Sequence, residues 1–291
     1  MYQVRQIGQQ EAQLFKEWAA REGWNPGLND IDCFFPQDPN GFFAGFVNDT
    51  MVTTGSAIIY NDNFAFFGFL ICHPDYRGEG YGLAITQERL DYVGDRCTGL
   101  DGVVDMQQKY RRNGFEIAFN NIRFEGMAPT ETTVDGHHRI LDARQASAGC
   151  LADYDAAHFP ARRQAFLQHW IHQPGTTALI ACDSTNEDAT VITDAKHIKG
   201  LIVCRPCITG YKIGPLFSDD FDTANQLLSS VLCRIPGQLF YLDITDDNAD
   251  AHKLVDRWQM QKVFETARMY RNGKPQLPLD RIFGITTFEL G

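Results

Sequence analysis

Apolar positions along the chain repeat with two periods. V-R-Q-I (Val4 to Ile7) alternates like a short strand, and from Glu11 to Arg21 the residues Leu14, Phe15, Trp18 and Ala19 return on one face of a helix that Gly23 ends. W-N-P-G-L-N-D (Trp24 to Asp30) reads as a loop through its Asn-Pro-Gly signal. It is expected to bring one aromatic ring and the carboxylates of Asp30 and Asp32 to the surface. Three apolar segments follow, starting at Gly41, Thr53 and Phe64, with turn signals at Asn48-Asp49 and Asn61-Asp62-Asn63 between them, which predicts an antiparallel meander. The last, F-A-F-F-G-F-L-I-C (Phe64 to Cys72), is continuously apolar and reads as a buried strand. It runs into H-P-D-Y-R-G-E-G-Y-G, after which Leu83, Leu90 and Val93 mark one helix face. A strand over Leu100 to Val104, a short helix to Asn113 and closing strands to Phe124 complete this stretch.

Between Gly126 and His138 the sequence is rich in Gly, Pro and Thr and has no apolar period, so residues 127–137 are the expected linker between units 1–126 and 138–291. Beyond it the order of elements begins again. I-L-D-A answers V-R-Q-I, a helix spans Ala146 to Ala157, strands cover Ala178 to Cys182, Gly200 to Cys204 and Gly210 to Phe217, and Y-L-D-I-T (Tyr241 to Thr245) answers Leu100 to Val104. The expected class is mixed α/β, with the second unit a degenerate repeat of the first. T-T-F-E-L-G at the C-terminus alternates like an edge strand.

Composition narrows the function classes. The 291 residues carry a net charge of −11, −7 up to Gly126 and −4 after it, so neither unit has the clustered Lys and Arg of a nucleic-acid binder. The field suits a cationic or amine-bearing partner. Nothing in the sequence has the uninterrupted apolar length of a membrane span or the layout of a signal peptide, and a cytoplasmic protein is the expectation. The eight cysteines are scattered, as buried reduced thiols are. Cys204 and Cys207 form a C-x-x-C pair around Pro206 with only His197 nearby, and His169 and His172 lack a third ligand, so no metal is expected.

The stretch R-G-E-G-Y-G, between a buried strand and a helix start, carries the chemistry. Its glycines let backbone N–H groups face a ligand, the helix dipole adds positive potential and Arg77 adds a charged fork, which together make an anion cradle. A P-loop needs Gly-Lys-Ser/Thr, whereas Leu83 and Ala84 follow Gly82. A dinucleotide fingerprint wants its first glycine at the strand end and an acid at the end of the next strand; here five residues intervene and Asp101 sits near the strand's beginning. Arg77, Gly80 and Gly82 fit instead the Arg/Gln-x-x-Gly-x-Gly/Ala pattern. With H-P-D-Y before and Y-R-R-N-G-F (Tyr110 to Phe115) about thirty residues on, the chain resembles the GNAT N-acetyltransferase superfamily over residues 64–115.

The resemblance implies a direct transfer of an acetyl group from acetyl-CoA to an amine-bearing acceptor. It implies that the backbone of Gly78, Glu79, Gly80, Tyr81 and Gly82, with the Arg77 side chain, holds the pyrophosphate. Leu70, Ile71 and Cys72 would pair with the pantetheine arm where their strand splays from its neighbour. Tyr110 falls where such enzymes carry the acid that protonates the leaving thiolate, a role suited to a phenol that stays protonated at neutral pH. No base stands out: Phe64 to Cys72 holds no carboxylate, His73 lies at the pyrophosphate end, and Asp30, Asp32 and Asp101 remain. The two units together resemble tandem GNAT proteins with one cofactor site, because S-D-D-F-D-T (Ser218 to Thr223) stands where the second copy would need its glycines. Arg205, Tyr211 and Lys212 could wall an acceptor pocket or simply sit on a bulged strand. A non-catalytic acyl-CoA sensor would share the same cradle, and a nicotinamide enzyme is the remaining alternative.

Overall fold

The computed structural model describes residues 1–183 and 191–291. The first half runs β1 (Tyr2–Gln6), α1 (Gln9–Arg21), α2 (Asp30–Phe34), β2 (Phe42–Val47), β3 (Thr50–Ile59), β4 (Phe64–Cys72), α3 (Tyr81–Val93), β5 (Cys97–Val103), α4 (Gln107–Arg112) and β6 (Glu116–Met127). The second runs β7 (Arg139–Asp142), α5 (Ala148–Ala156), α6 (Gln164–His172), β8 (Thr177–Cys182), β9 (Ile198–Pro206), β10 (Tyr211–Ser218), α7 (Phe221–Leu232), β11 (Leu239–Thr245), α8 (Ala249–Arg257), β12 (Gln261–Arg271) and β13 (Ile282–Gly284). The mixed α/β class and the antiparallel meander β2-β3-β4 are as the sequence predicts. No helix among the described residues is long and apolar enough to cross a membrane.

The element order restarts at β7, but the sheet does not. All strands join in one sheet in the order β1-β2-β3-β4-β5-β12-β6-β11-β10-β9-β8-β7, with β13 beside β10. The two closing strands are exchanged. β12, from the second half, pairs with β5 from Thr266↔Val103 to Arg271↔Thr98, while β6, from the first, pairs with β11 from Leu239↔Met127 to Thr245↔Asn121. Each half thus completes the sheet of the other, and neither leaves an unpaired edge at the centre.

Buried ion pairs fasten the halves. Arg123 on β6 holds Asp243 on β11 through two bonds of 2.7 Å, and Arg268 on β12 holds Asp101 on β5 at 3.0 and 2.7 Å. The Asn-Pro-Gly loop makes the third. Asp30 does not reach the surface as expected: it opens α2, is 1% exposed, and grips Arg205 of β9 at 2.8 and 3.2 Å. The same carboxylate also accepts from the Gly27 N–H at 2.9 Å, so both its oxygens have their partners inside. Asp32, one helix position from the core face, stays exposed and accepts from Gln9 and Gln13.

The C-terminus also departs from expectation. Residues 286–291 form no edge strand; they turn inward, with the Gly291 N–H bonded to the Thr287 carbonyl, and pack between the halves. Apolar contact drives this, because Phe288 and Leu290 belong to the core that Phe15, Phe34, Phe69 and Trp170 build.

Candidate active site

At the end of β4 the chain turns through His73 to Arg77 and enters α3. Gly78 and Gly80 have φ of +88° and +85°, a left-handed conformation in which any Cβ is strained, so this turn requires glycine. The helix starts on Gly80 with no capping side chain. Among the described residues no protein acceptor takes the N–H groups of Gly78, Glu79, Gly80, Tyr81 or Gly82. A Cβ at Gly78, Gly80 or Gly82 would meet nothing within 4 Å, so the turn opens onto clear space where a phosphate can approach the backbone. The Tyr81 ring lies outside that space, stacked on Tyr2 at 4.3 Å. Arg77 is partly engaged: its Nε donates to the Cys72 carbonyl at 3.0 Å and its Nη2 pairs with Glu22, which ties the turn back to β4 and α1. An anion approaching this turn would therefore meet backbone N–H groups first and the arginine second.

The corresponding place in the second half is filled from within. There Asp220 caps α7 by accepting from the Thr223 N–H at 2.8 Å, a carboxylate where the first half leaves free amides.

Next to the glycine turn the sheet opens. The parallel ladder of β4 and β5 runs from Phe64↔Cys97 to Phe67↔Leu100 and stops, although β4 continues to Cys72 and β5 to Val103. Phe69, at φ +51°, and a register shift against β3 mark a bulge at that point. Leu70, Ile71 and Cys72 consequently have no β5 partner and leave a free strand edge at the splay. A cleft of about 570 Å³, mouth included, passes through the sheet here. Phe67, Arg89, Leu100 and Tyr110 line it among the contacts of one face; Phe69, Phe264 and Phe288 belong to the core of the other.

Tyr110 projects from α4 with its ring over Gly102, and burial pushes its pKa up while nearby Arg89 opposes the rise. It remains a protonated phenol at neutral pH. Arg89 was not anticipated. It is 1% exposed, donates to the carbonyls of Ser56 (2.9 Å) and Gly68 (3.3 Å), and lies over the Phe67 ring at 4.1 Å. Burial without a carboxylate partner brings its pKa down to about 10, which still leaves it charged. Its charge favours an anion forming in the cleft.

The base candidates fare differently. Asp101 lines the cleft, but Arg268 and the Asn121 amide occupy its oxygens; burial raises its pKa and the Arg268 charge pulls the other way. Asp30 is locked by Arg205, and neither Asp32 nor His73 lines the cleft. Glu289 does, and sequence reasoning missed it. The signal was a lone acid in the apolar C-terminal run, two residues from the end.

Arg205, Tyr211 and Lys212 sit on strands whose register shifts between Ile213 and Leu216, so the bulged-strand expectation holds. Lys212 also supports the cleft from behind. Its Nζ donates to the Trp24 carbonyl at 3.1 Å, as does Arg123 at 2.9 Å, which seats the Trp24 backbone at the cleft wall. Cys204 and Cys207 are buried thiols, the Cys204 pKa pushed up to about 12, and His169 and His172 each bond the carbonyl four residues before them.

Comparison with known proteins agrees with this geometry. The acetyltransferase (GNAT) family profile matches residues 2–115, and a second acetyltransferase (GNAT) domain profile matches residues 151–284. The chain is 28% identical to a holothin acyltransferase from a Pseudoalteromonas species over 97% of this chain and 92% of that one. Among solved structures it resembles a putative acetyltransferase from Pyrococcus horikoshii, with a TM-score of 0.80, 17% identity, and coverage of 100% of this chain and 96% of that one. It also resembles a tandem GNAT protein from the clavulanic acid biosynthesis pathway, with a TM-score of 0.64, 9% identity, and coverage of 95% and 100%.

Proposed function

The chain belongs to the acetyltransferase (GNAT) family as a tandem pair of domains, and from that premise we propose that it transfers an acetyl group from acetyl-CoA directly to an amine carried on a compact, apolar acceptor. The observation that carries the reading is the cleft that passes through the sheet beside the glycine turn. Free backbone N–H groups from Gly78 to Gly82, supplemented by Arg77, suit the pyrophosphate, and the unpaired edge of Leu70, Ile71 and Cys72 suits the pantetheine arm. Acetyl-CoA supplies the thioester. Tyr110 then stands on the cofactor face as the proton donor to the departing sulfur, and Arg89 lowers the energy of the anion before it is protonated.

The acceptor side is aromatic, with Trp24, Phe264 and Phe288 in its wall. This supports a flat apolar body whose positive charge, where it has one, is confined to the reacting nitrogen. The holothin acyltransferase relative supports an acyl acceptor that is a small molecule. The surface charge of −11 adds only a diffuse attraction for such cations.

Two measurements on the full chain test the proposal. Calorimetry should detect acetyl-CoA binding well below the millimolar range. Tyr110→Phe should leave that affinity intact while kcat for acetylation of an aromatic amine falls by about 10²–10⁴-fold. No turnover with any member of an amine panel, despite tight acetyl-CoA binding, would point to a sensor instead.

A further inference from the structure

Every carboxylate considered from the sequence is either committed to an arginine or outside the cleft, which leaves the acceptor side without a proton acceptor. We propose that Glu289, delivered by the C-terminal segment of the second half, is the catalytic base of the first. The inference rests on the transferase reading above.

The placement is specific. Glu289 is 3% exposed yet lines the same cleft as Tyr110 and Leu70. Its backbone is fixed at the bulge itself: a Cβ on Gly68 would come within 2.1 Å of the Glu289 carbonyl oxygen, so only glycine on β4 lets the segment approach where the ladder of β4 and β5 ends. Its side chain is oriented locally. The Thr287 hydroxyl donates to Glu289 Oε2 and accepts from the Glu289 N–H at 2.8 Å, a closed turn that engages one oxygen, while the other has no hydrogen-bond partner among the described residues. Neighbouring residues hold the segment on both sides, with Tyr60 donating to the Leu290 carbonyl at 2.8 Å and Arg163 to the Thr286 hydroxyl at 2.7 Å. The charges facing Glu289 from the packed strands are Arg123 on β6, Arg205 on β9 and Lys212 on β10. No ion-pair contact joins it to them among the described residues, in contrast to the bidentate grip on Asp30, Asp101 and Asp243. Glu289 is thus a built carboxylate with an oxygen to spare.

The chemistry balances within the cleft. As the acceptor nitrogen forms its bond to the thioester carbon, its N–H becomes strongly acidic and the proton passes to the Glu289 carboxylate. The carbon–sulfur bond breaks and the sulfur takes the Tyr110 proton. Glu289 returns its proton and Tyr110 regains one through solvent, so the products are the amide and free CoA thiol. Acid and base stand on opposite faces of one sheet, one from each half of the chain.

The test follows CoA release by full-length protein with acetyl-CoA and tryptamine, and with water alone as acceptor, at neutral pH. Glu289→Gln keeps shape and the Thr287 bond; it should lower kcat/KM by about 10²–10⁴-fold and leave acetyl-CoA affinity within twofold. Glu289→Asp should restore part of the rate. A Glu289→Gln enzyme with the wild-type rate overturns the assignment. No CoA release by wild type with either acceptor overturns the transferase reading itself, and this assignment with it.

Discussion

Neutralising Asp30 should unfold this protein far more readily than neutralising any exposed carboxylate. Asp30→Asn retains an oxygen for the Gly27 N–H, 2.9 Å away, so the substitution removes charge rather than the turn. It leaves Arg205 charged, 1% exposed and stacked over Trp170 at 4.3 Å, with its Nη1 already lacking an acceptor. Breaking a buried pair in this way typically costs about 3–5 kcal/mol. At roughly 2 °C per kcal/mol for a chain of this size, the melting temperature should fall by about 6–10 °C. The assay is a double-mutant cycle by calorimetric melting and urea denaturation with Asp30→Asn, Arg205→Met and Asp30→Asn/Arg205→Met. Removing both charges should return stability to within about 1–2 kcal/mol of wild type, because the unpaired buried guanidinium carries most of the penalty. A cost below about 1 kcal/mol for Asp30→Asn, the value of an exposed pair, would refute the claim that this ion pair is a desolvated clasp between the halves.

Other outcomes follow from the same geometry. Lys212 has its pKa pushed down to about 8 by burial, against about 10.4 unfolded, so the unfolded chain binds more protons between those values and stability should rise with pH across that window. Lys212→Met should flatten that rise and stabilise the protein at pH 7 by on the order of 3 kcal/mol, less the bond to Trp24, as urea midpoints at pH 7 and 9.5 would show. Gly80→Ala should cost about 1–2 kcal/mol through its φ of +85° and weaken acetyl-CoA binding at least tenfold by calorimetry, whereas Gly82→Ala, with open space and helical backbone, should be tolerated. Gly68→Val should expel the C-terminal segment, costing about 1–3 kcal/mol and most of the turnover while acetyl-CoA still binds; an unchanged rate would contradict the placement of Glu289.

What the sequence made legible was local. Period and turn chemistry predict the meander, the strand-glycine-helix turn and the restart of elements at I-L-D-A, because each is decided by residues a few positions apart. Arg77, Gly78, Gly80 and Tyr110 all lie within one such continuous run. What stayed hidden needed long range. No pattern near Asp30 announces Arg205, 175 positions away, so a loop aspartate reads as exposed until the second half supplies its partner. The exchange of β6 and β12 is equally silent, since either strand alternates well enough to close either half. Glu289 reads as part of an edge strand because the strand its backbone packs against, at Gly68, belongs to the first half.

The second half helps explain why it has lost one site and gained a share in the other. Gly214 follows the last rung of β10 on β11, at Ile213↔Leu242, as Gly68 follows the last rung of β4 on β5, at Phe67↔Leu100. Both glycines admit a carbonyl of the same C-terminal segment: a Cβ would meet the Thr286 oxygen at 2.3 Å from Gly214 and the Glu289 oxygen at 2.1 Å from Gly68. In the second half β13 lies along the opened β10 and Asp220 caps the helix, so splay and anion position are both filled by the chain itself. The segment then passes Gly68, where Glu289 lines the first cleft, and no described residue of it pairs with the β4 edge from Leu70 to Cys72. Closing the second cleft and furnishing the first are therefore consequences of one path of the C-terminal residues. A truncation before Thr286 would be expected to open the one and disarm the other together.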